Sequence, residues 1–190
     1  MEMLRMDHIT KIYPNGFVAN KDVTFAVNEG EIHSLVGENG AGKTTLMKIL
    51  FGMEDKQGGD IFIREEKVKI TSPLDAISTG VGMVHQHYML LNSLTVAENV
   101  VLGIEPMKNG LFDFEEAVVM TQKIADKYNF ALDARTRVKD LSVGQMQKVE
   151  ILKALIKGAR VLILDEPTAV LTPQETEELF EQLLLLREGG

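Results

Sequence analysis

Apolar and polar residues alternate over 23–27 and again over 31–36, with Asn28 and Gly30 marking a turn between them. That period of two predicts two strands. The second runs into GENGAGKTTLMKILFG, whose segment 44–51 has helical spacing, with Gly52 placed to stop the helix. A turn at 57–59 precedes a short strand over 60–64. Ser72, Pro73 and Asp75 then open a helix as N-cap, first position and third position. Val81 to Val84 is a further apolar strand.

From about Tyr88 the pattern turns helical. Thr95 with Glu98 makes a capping box, Asp113 caps a run reaching about Tyr128, and Ser142 with Gln145 makes a second box ahead of 146–155. Val161 to Leu164 is wholly apolar and ends at Asp165, as a buried parallel strand does. Thr172, Pro173 and Glu175 start a last helix reaching about Glu188. Strands and helices, a helical stretch, then strand and helix make an α/β core with an α insert. The expected boundaries are a core of 1–87 and 158–190, with a helical subdomain at about 88–157, all within one domain.

Composition narrows the class. The chain has 190 residues, 45% hydrophobic, and no Cys, which excludes disulfides, thiol catalysis and Cys-based zinc sites. No apolar run nears the roughly 18 residues of a membrane-spanning helix, and the mixed residues 1–7 do not read as a secretory signal. The net charge is −8, and residues 165–190 hold seven acidic residues against one basic. The remainder is near neutral, so no basic stripe points to nucleic acid.

GENGAGKT, 37–44, fits a P-loop between strand and helix. Glycines there turn backbone N–H groups onto a phosphate facing the positive end of the next helix. Gly37, Glu38, Asn39, Gly40, Ala41, Gly42, Lys43, Thr44 and Thr45 are the candidate nucleotide-binding residues. Lys43 would reach the β- and γ-phosphates and Thr44 would hold Mg²⁺. VLILDE, 161–166, places Asp165 at the carboxyl end of a strand, where it can hold the Mg²⁺ shell. Glu166 beside it can polarise a water as general base. LSVGQ, 141–145, joins a serine N-cap, a glycine and a helix start into a second anion-binding corner; alone it is a plain capping box.

Together these strings resemble the ATP-binding domain of ABC transporters, over nearly the whole chain. The resemblance implies an α/β P-loop NTPase with a parallel core sheet, a small antiparallel β subdomain and an inserted α-helical subdomain. It implies ATP and Mg²⁺ as ligands, and two such domains sandwiching two ATP molecules. In that arrangement Ser142, Gly144 and Gln145 of one copy cover the γ-phosphate on the other, with Val143 departing from the family's glycine. Gln86 matches the glutamine that senses Mg²⁺ and the membrane subunit, and Tyr13 the aromatic that stacks on adenine. Met83, Met89, Leu90 and Leu91 are candidates for the apolar seat of that subunit. GMVHQHYML and EPTAVLTPQE look most like importer ATPases for nucleosides or simple sugars. The implied partners are transmembrane permease subunits, a second ATPase domain and, indirectly, an extracytoplasmic solute-binding protein, with no nucleic acid. The implied location is peripheral, on the cytoplasmic face of the cell membrane.

Two alternatives are a soluble non-transport ABC ATPase and a nucleotide-binding fragment without turnover. Thr172 stands where the family usually has an Asp, and is placed to cap a helix instead. His8, His33, His85 and His87 are expected to be structural or surface residues. In the family a strand and a switch histidine follow the helix after the second motif, and this chain stops at Gly190. The expectation is therefore an incomplete domain, weak turnover, and a sheet that closes up, pairs with another chain or distorts near Asp165.

Overall fold

In the computed structural model, which describes residues 1–86 and 88–189, the strand predicted over 23–27 is the end of a longer one that pairs with a strand preceding it. β1 (Glu2–Ile12) and β2 (Val18–Asn28) run antiparallel, and β3 (Gly58–Ile63) and β4 (Glu66–Val68) extend the sheet in the order β2-β1-β3-β4. β1 buries Met3, Leu4, Met6 and Ile9. Burying an aliphatic side chain of that size contributes about 1.5–3 kcal/mol. Its ladder with β2 shifts register between Met6 and Ile9, where His8 takes φ 55°, and again between Ile9 and Lys11, where Asp22 on β2 takes φ 55°. These shifts explain why the apolar positions of β1 do not alternate cleanly: an irregular register swaps the face that successive side chains meet.

Helix α1 (Lys43–Leu50) buries Leu46, Ile49 and Leu50, one stripe at helical spacing. Its start lies against β2. Gly42 has φ 88°, and a Cβ there would stand 2.2 Å from the Ala19 carbonyl oxygen; Asn20 Nδ2 donates to the Gly42 carbonyl at 3.2 Å. Gly52 follows the helix at φ 74°, the left-handed stop expected of a glycine there. α2 (Pro73–Ser78) starts as the sequence indicates, with Ser72 Oγ accepting from the Asp75 N–H.

The predicted strand over 31–36 does not form. These residues belong to no ladder among the described residues, and Val36 is 92% exposed. An alternating sequence becomes a strand only when a neighbour accepts its N–H and C=O groups. Here β2 bonds to β1, and no described strand lies alongside 31–36.

The chain divides into two units, residues 1–82 and 83–189. The second carries α3 (Val96–Val100), the hairpin β6 (Met107–Lys108) and β7 (Leu111–Phe112), α4 (Phe114–Lys127), α5 (Val143–Ile156) and α6 (Pro173–Glu188). β5 (Val81–Val84), which crosses the boundary, pairs with β8 (Val161–Leu164). The Asp165 N–H donates to the Val84 carbonyl at 3.1 Å, so the two strands end side by side and run parallel. β8 is less enclosed than its apolar run suggests: only Ile163 is fully buried, because β5 alone flanks it among the described residues.

Every cap read in this half forms: Thr95 with Glu98, Ser142 with Gln145, and Thr172 with Glu175 close capping boxes, and Asp113 caps α4. The first amides of α3 find partners on a later segment, Val96 N–H to Thr136 O and Ala97 N–H to Ala134 O, both at 2.9 Å. α5 runs through the core, burying six consecutive residues from Gln147 to Leu152. Its largely buried charges are paired, Lys148 with Glu178 at 2.9 Å and Lys153 with Glu150 at 3.0 Å, while the buried Gln147 Oε1 has no hydrogen-bond partner among the described residues.

Candidate functional site

In the first unit the glycine-rich segment lies exposed ahead of α1. Gly40 and Gly42 take φ 84° and 88°, a region closed to most side chains. Ala41 N–H turns back to the Glu38 carbonyl at 3.2 Å, compacting the loop that also holds Gly37 and Asn39. Lys43 folds its ammonium onto the loop itself, donating to the carbonyls of Gly37 at 2.7 Å and Glu38 at 2.9 Å. An incoming phosphate oxygen would compete for those donors. Thr44 and Thr45 lie in the first turn of α1, where N–H groups have no intrahelical acceptor. Tyr13 sits in the turn after β1, its ring stacked at 6.3 Å on Phe17 and covered by Lys11 Nζ at 5.0 Å.

In the second unit Asp165 and Glu166 follow β8, and Gln86 follows β5. The parallel pairing of these strands brings residues 80 positions apart together: Gln86 Nε2 donates to Glu166 Oε2 at 3.0 Å. Glu166 takes φ 47°, an uncommon backbone setting for a non-glycine residue. Gln147, 3% exposed on α5, donates its Nε2 to the Pro167 carbonyl at 2.8 Å, holding the backbone just after Glu166. That residue was not among those singled out from sequence; a glutamine inside an apolar helix gives no sign of its partner 20 positions away.

The LSVGQ corner holds a carboxylate of its own chain, that of Glu175. Ser142 Oγ accepts from the Gln145 N–H at 3.2 Å, and Gln145 Oε1 accepts from the Ser142 N–H at 2.9 Å. Glu175 Oε1 accepts from the Gly144 N–H at 3.2 Å and from Ser142 Oγ at 3.4 Å. A Cβ on Gly144 would stand 2.7 Å from that oxygen, so glycine is what admits the carboxylate. Hydrogen bonds from the Thr172 N–H and hydroxyl, with smaller help from Gly144 and Ser142, hold the Glu175 carboxyl below its ordinary pKa. A cavity of about 570 Å³ opens beside the corner, lined also by Lys148 and Glu178.

Of the four residues considered for an apolar seat, two are eliminated. Met83 is only 8% exposed within β5, and Leu90 packs against the core around Val84 and Leu152. Met89 and Leu91 are 63% and 50% exposed. His87 lies outside the described residues. His8 and His33 are at the surface, as expected.

The architecture is that of a P-loop NTPase with a helical insert. A family model for the ABC transporter matches residues 20–169, and the chain belongs to that family. It is 49% identical over 188 residues to the guanosine import ATP-binding protein NupO of Bacillus subtilis, covering 98% of this chain and 37% of that protein. It is 46% identical over 217 residues to the glucose import ATP-binding protein TsgD13 of Haloferax volcanii, covering 98% of this chain and 39% of that protein. The chain therefore spans well under half the length of these curated relatives. Among solved structures, the ADP conformation of MJ1267, an ATP-binding cassette of an ABC transporter, superposes with a TM-score of 0.87 at 27% identity, covering 100% of this chain and 78% of that one. No helix among the described residues is long and apolar enough to cross a membrane.

Proposed function

We propose that this chain is the ATP-binding and ATP-hydrolysing part of an importer for nucleosides or simple sugars, working beneath a membrane permease on the cytoplasmic face. The observation that carries the ATPase reading is the Gln86–Glu166 hydrogen bond at 3.0 Å, which joins two separately read motifs into one polar pair. Two of its import relatives, one for guanosine and one for glucose, support the transport setting.

In this reading the loop from Gly37 to Thr45, with Glu38, Asn39, Gly40, Ala41, Gly42 and Thr44, cradles the phosphates by backbone N–H groups. Lys43 leaves its two carbonyls for the β- and γ-phosphates, and Tyr13 leaves Phe17 to stack on adenine. Glu166 takes a proton from a water whose oxygen attacks the γ-phosphorus, as the bond to the β,γ-bridging oxygen breaks and ADP leaves. Gln86 holds the Glu166 carboxylate until then. The hydroxyl of Thr44, the amide of Gln86 and the carboxylate of Asp165 are all hard oxygen donors, the set Mg²⁺ prefers. Oxygens of this kind would hold Mg²⁺, which would neutralise phosphate charge. Ser142, Gly144 and Gln145 face the γ-phosphate on a second ATPase domain, and a solute-binding protein delivers cargo to the permease.

The helical subdomain of about 88–157, set in a core of 1–87 and 158–190, is the part that meets the permease. The test is Mg²⁺-dependent phosphate release from ATP. Loss on Glu166→Gln with ATP binding retained supports the reading, and unchanged release refutes it.

A further inference from the structure

The two exposed apolar residues after Gln86 sit on a strip of backbone held in an unusual way. At Met89, Glu150 Oε1 accepts from the N–H at 2.6 Å while Lys153 Nζ donates to the C=O at 2.9 Å. Those two side chains are themselves paired at 3.0 Å and largely buried, 8% and 18% exposed. Two residues on, the pattern repeats with one side chain. Asn99 Oδ1 accepts from the Leu91 N–H at 2.8 Å, and Asn99 Nδ2 donates to the Leu91 C=O at 3.1 Å. Asn99 is 2% exposed, and its Nδ2 also donates to the Thr95 carbonyl, which fixes the amide's orientation.

Side chains thus replace a neighbouring strand: alternate residues have both backbone groups bonded, as in a sheet edge. The alternation sets direction as well. With Met89 and Leu91 clamped through their backbones, both side chains point outward, while Leu90 between them turns into the core. The clamps come from two helices, α5 through Glu150 and Lys153, and α3 through Asn99. α5 is the helix capped by Ser142 and carrying Gly144 in its first turn, and the clamped strip begins three residues after Gln86.

A flexible loop pushed at Met89 would absorb the displacement in its own dihedrals. A strip bonded at both backbone groups to a buried ion pair passes it on. We propose that Glu150, Lys153 and Asn99 are positioning residues that fix 88–91 as a rigid strip and link a load on Met89 and Leu91 to the LSVGQ helix. This rests on the reading of the chain as the ATPase of a permease, whose apolar cytoplasmic segment supplies that load.

The test uses the whole ATP-binding subunit, alone and assembled with its permease in lipid nanodiscs. It compares the wild type with Glu150→Leu/Lys153→Met, with Asn99→Leu and with the conservative Lys153→Arg. Met89 and Leu91 lie at the surface, so water can take over their backbone groups and the variants should fold. The expected result for the two apolar variants is amide exchange over 88–91 faster by about tenfold or more. The ATPase rate of the free subunit stays within about twofold, while its stimulation by the permease falls about tenfold. Lys153→Arg keeps the stimulation. Faster exchange with full stimulation overturns the proposal, as does unchanged exchange in both variants. A parallel fall of free and stimulated rates with Tm, seen in both variants, reduces these residues to structural ones and also overturns it. Should the double variant fail to fold, Asn99→Leu, on a different helix, decides alone. No Mg²⁺-dependent hydrolysis in the wild-type complex refutes the ATPase reading itself, and this proposal falls with it.

Discussion

Gln86 and Glu166 are bonded side chain to side chain, Nε2 to Oε2 at 3.0 Å, at the carboxyl ends of two paired parallel strands. The amide donates to the carboxylate oxygen that the proposed chemistry needs as base. Gln86 therefore orients Glu166 and also occupies it, and its release is a step on the way to hydrolysis. Removing the amide should act on turnover more than on binding.

For Gln86→Ala we expect kcat to fall by about tenfold or more, with the Kd for ATP changed less than about threefold. Glu166→Gln removes the base itself and should cost about 10²–10⁴ in kcat. Single-turnover phosphate release beside equilibrium ATP binding separates the two. A Gln86→Ala protein with unchanged kcat and weakened binding would assign Gln86 to ground-state binding alone.

Lys43 spends its charge on the carbonyls of Gly37 and Glu38. Exchanging these for phosphate oxygens replaces neutral acceptors by anionic ones, so ion-pair attraction is added to bonds that the ammonium alone already assists. Lys43→Ala should lower ATP affinity by at least about tenfold. Because the loop is exposed, Tm should move little. Calorimetric titration with ATP checks the first expectation and a thermal melt the second.

Thr172 gives Glu175 both of its strongest partners, a backbone N–H and a hydroxyl, each at 3.0 Å, and accepts from the Glu175 N–H at 3.3 Å. Thr172→Ala should destabilise the second unit by about 1 kcal/mol, the usual cost of an N-cap. The pH sign follows from the lowered carboxyl pKa. Stability from the ionised form is present above the ordinary glutamate range and is lost as pH falls through the folded value. The difference between wild type and Thr172→Ala should thus be largest near neutrality and shrink in acid. A difference independent of pH would show the hydroxyl acting as a cap without the carboxylate.

The caps explain how much of this could be read in advance. Ser72, Thr95, Asp113, Ser142 and Thr172 work within three residues of themselves, so local sequence carries the whole instruction. Strands need partners that local sequence does not name. The alternation at 31–36 was legible, but its ladder is not there among the described residues; β1, with its register shifts, is there but hides its period. The site divides the same way. Lys43, Asp165 and Glu166 stand in contiguous motifs, whereas Gln147 on Pro167, Glu175 on Gly144 and the clamps on Met89 and Leu91 span 8 to 64 positions. Glu150 and Lys153 look from sequence like an ordinary exposed i, i+3 pair; only the burial of α5 on all sides makes them internal.

His8 and Asp22 test the register of the first sheet. Both take φ 55° where β1 and β2 shift against each other, and His8 Nδ1 meets Asp22 Oδ1 at 2.6 Å. The hydrogen bond to Asp22, then the charges of Asp22 and Asp7, raise the His8 pKa above 6.5. A raised histidine pKa stabilises the fold fully below the unfolded value of about 6.5 and ceases to do so as pH rises through the folded value. Asp22→Asn removes the largest cause, so the His8 midpoint in an NMR titration should drop back toward the ordinary histidine range. Its urea midpoint should fall below wild type at about pH 6 and match it at about pH 9. The pair is solvent-exposed, so the effect should also fade at high salt. An unmoved His8 midpoint would mean that the two residues are not in register in solution.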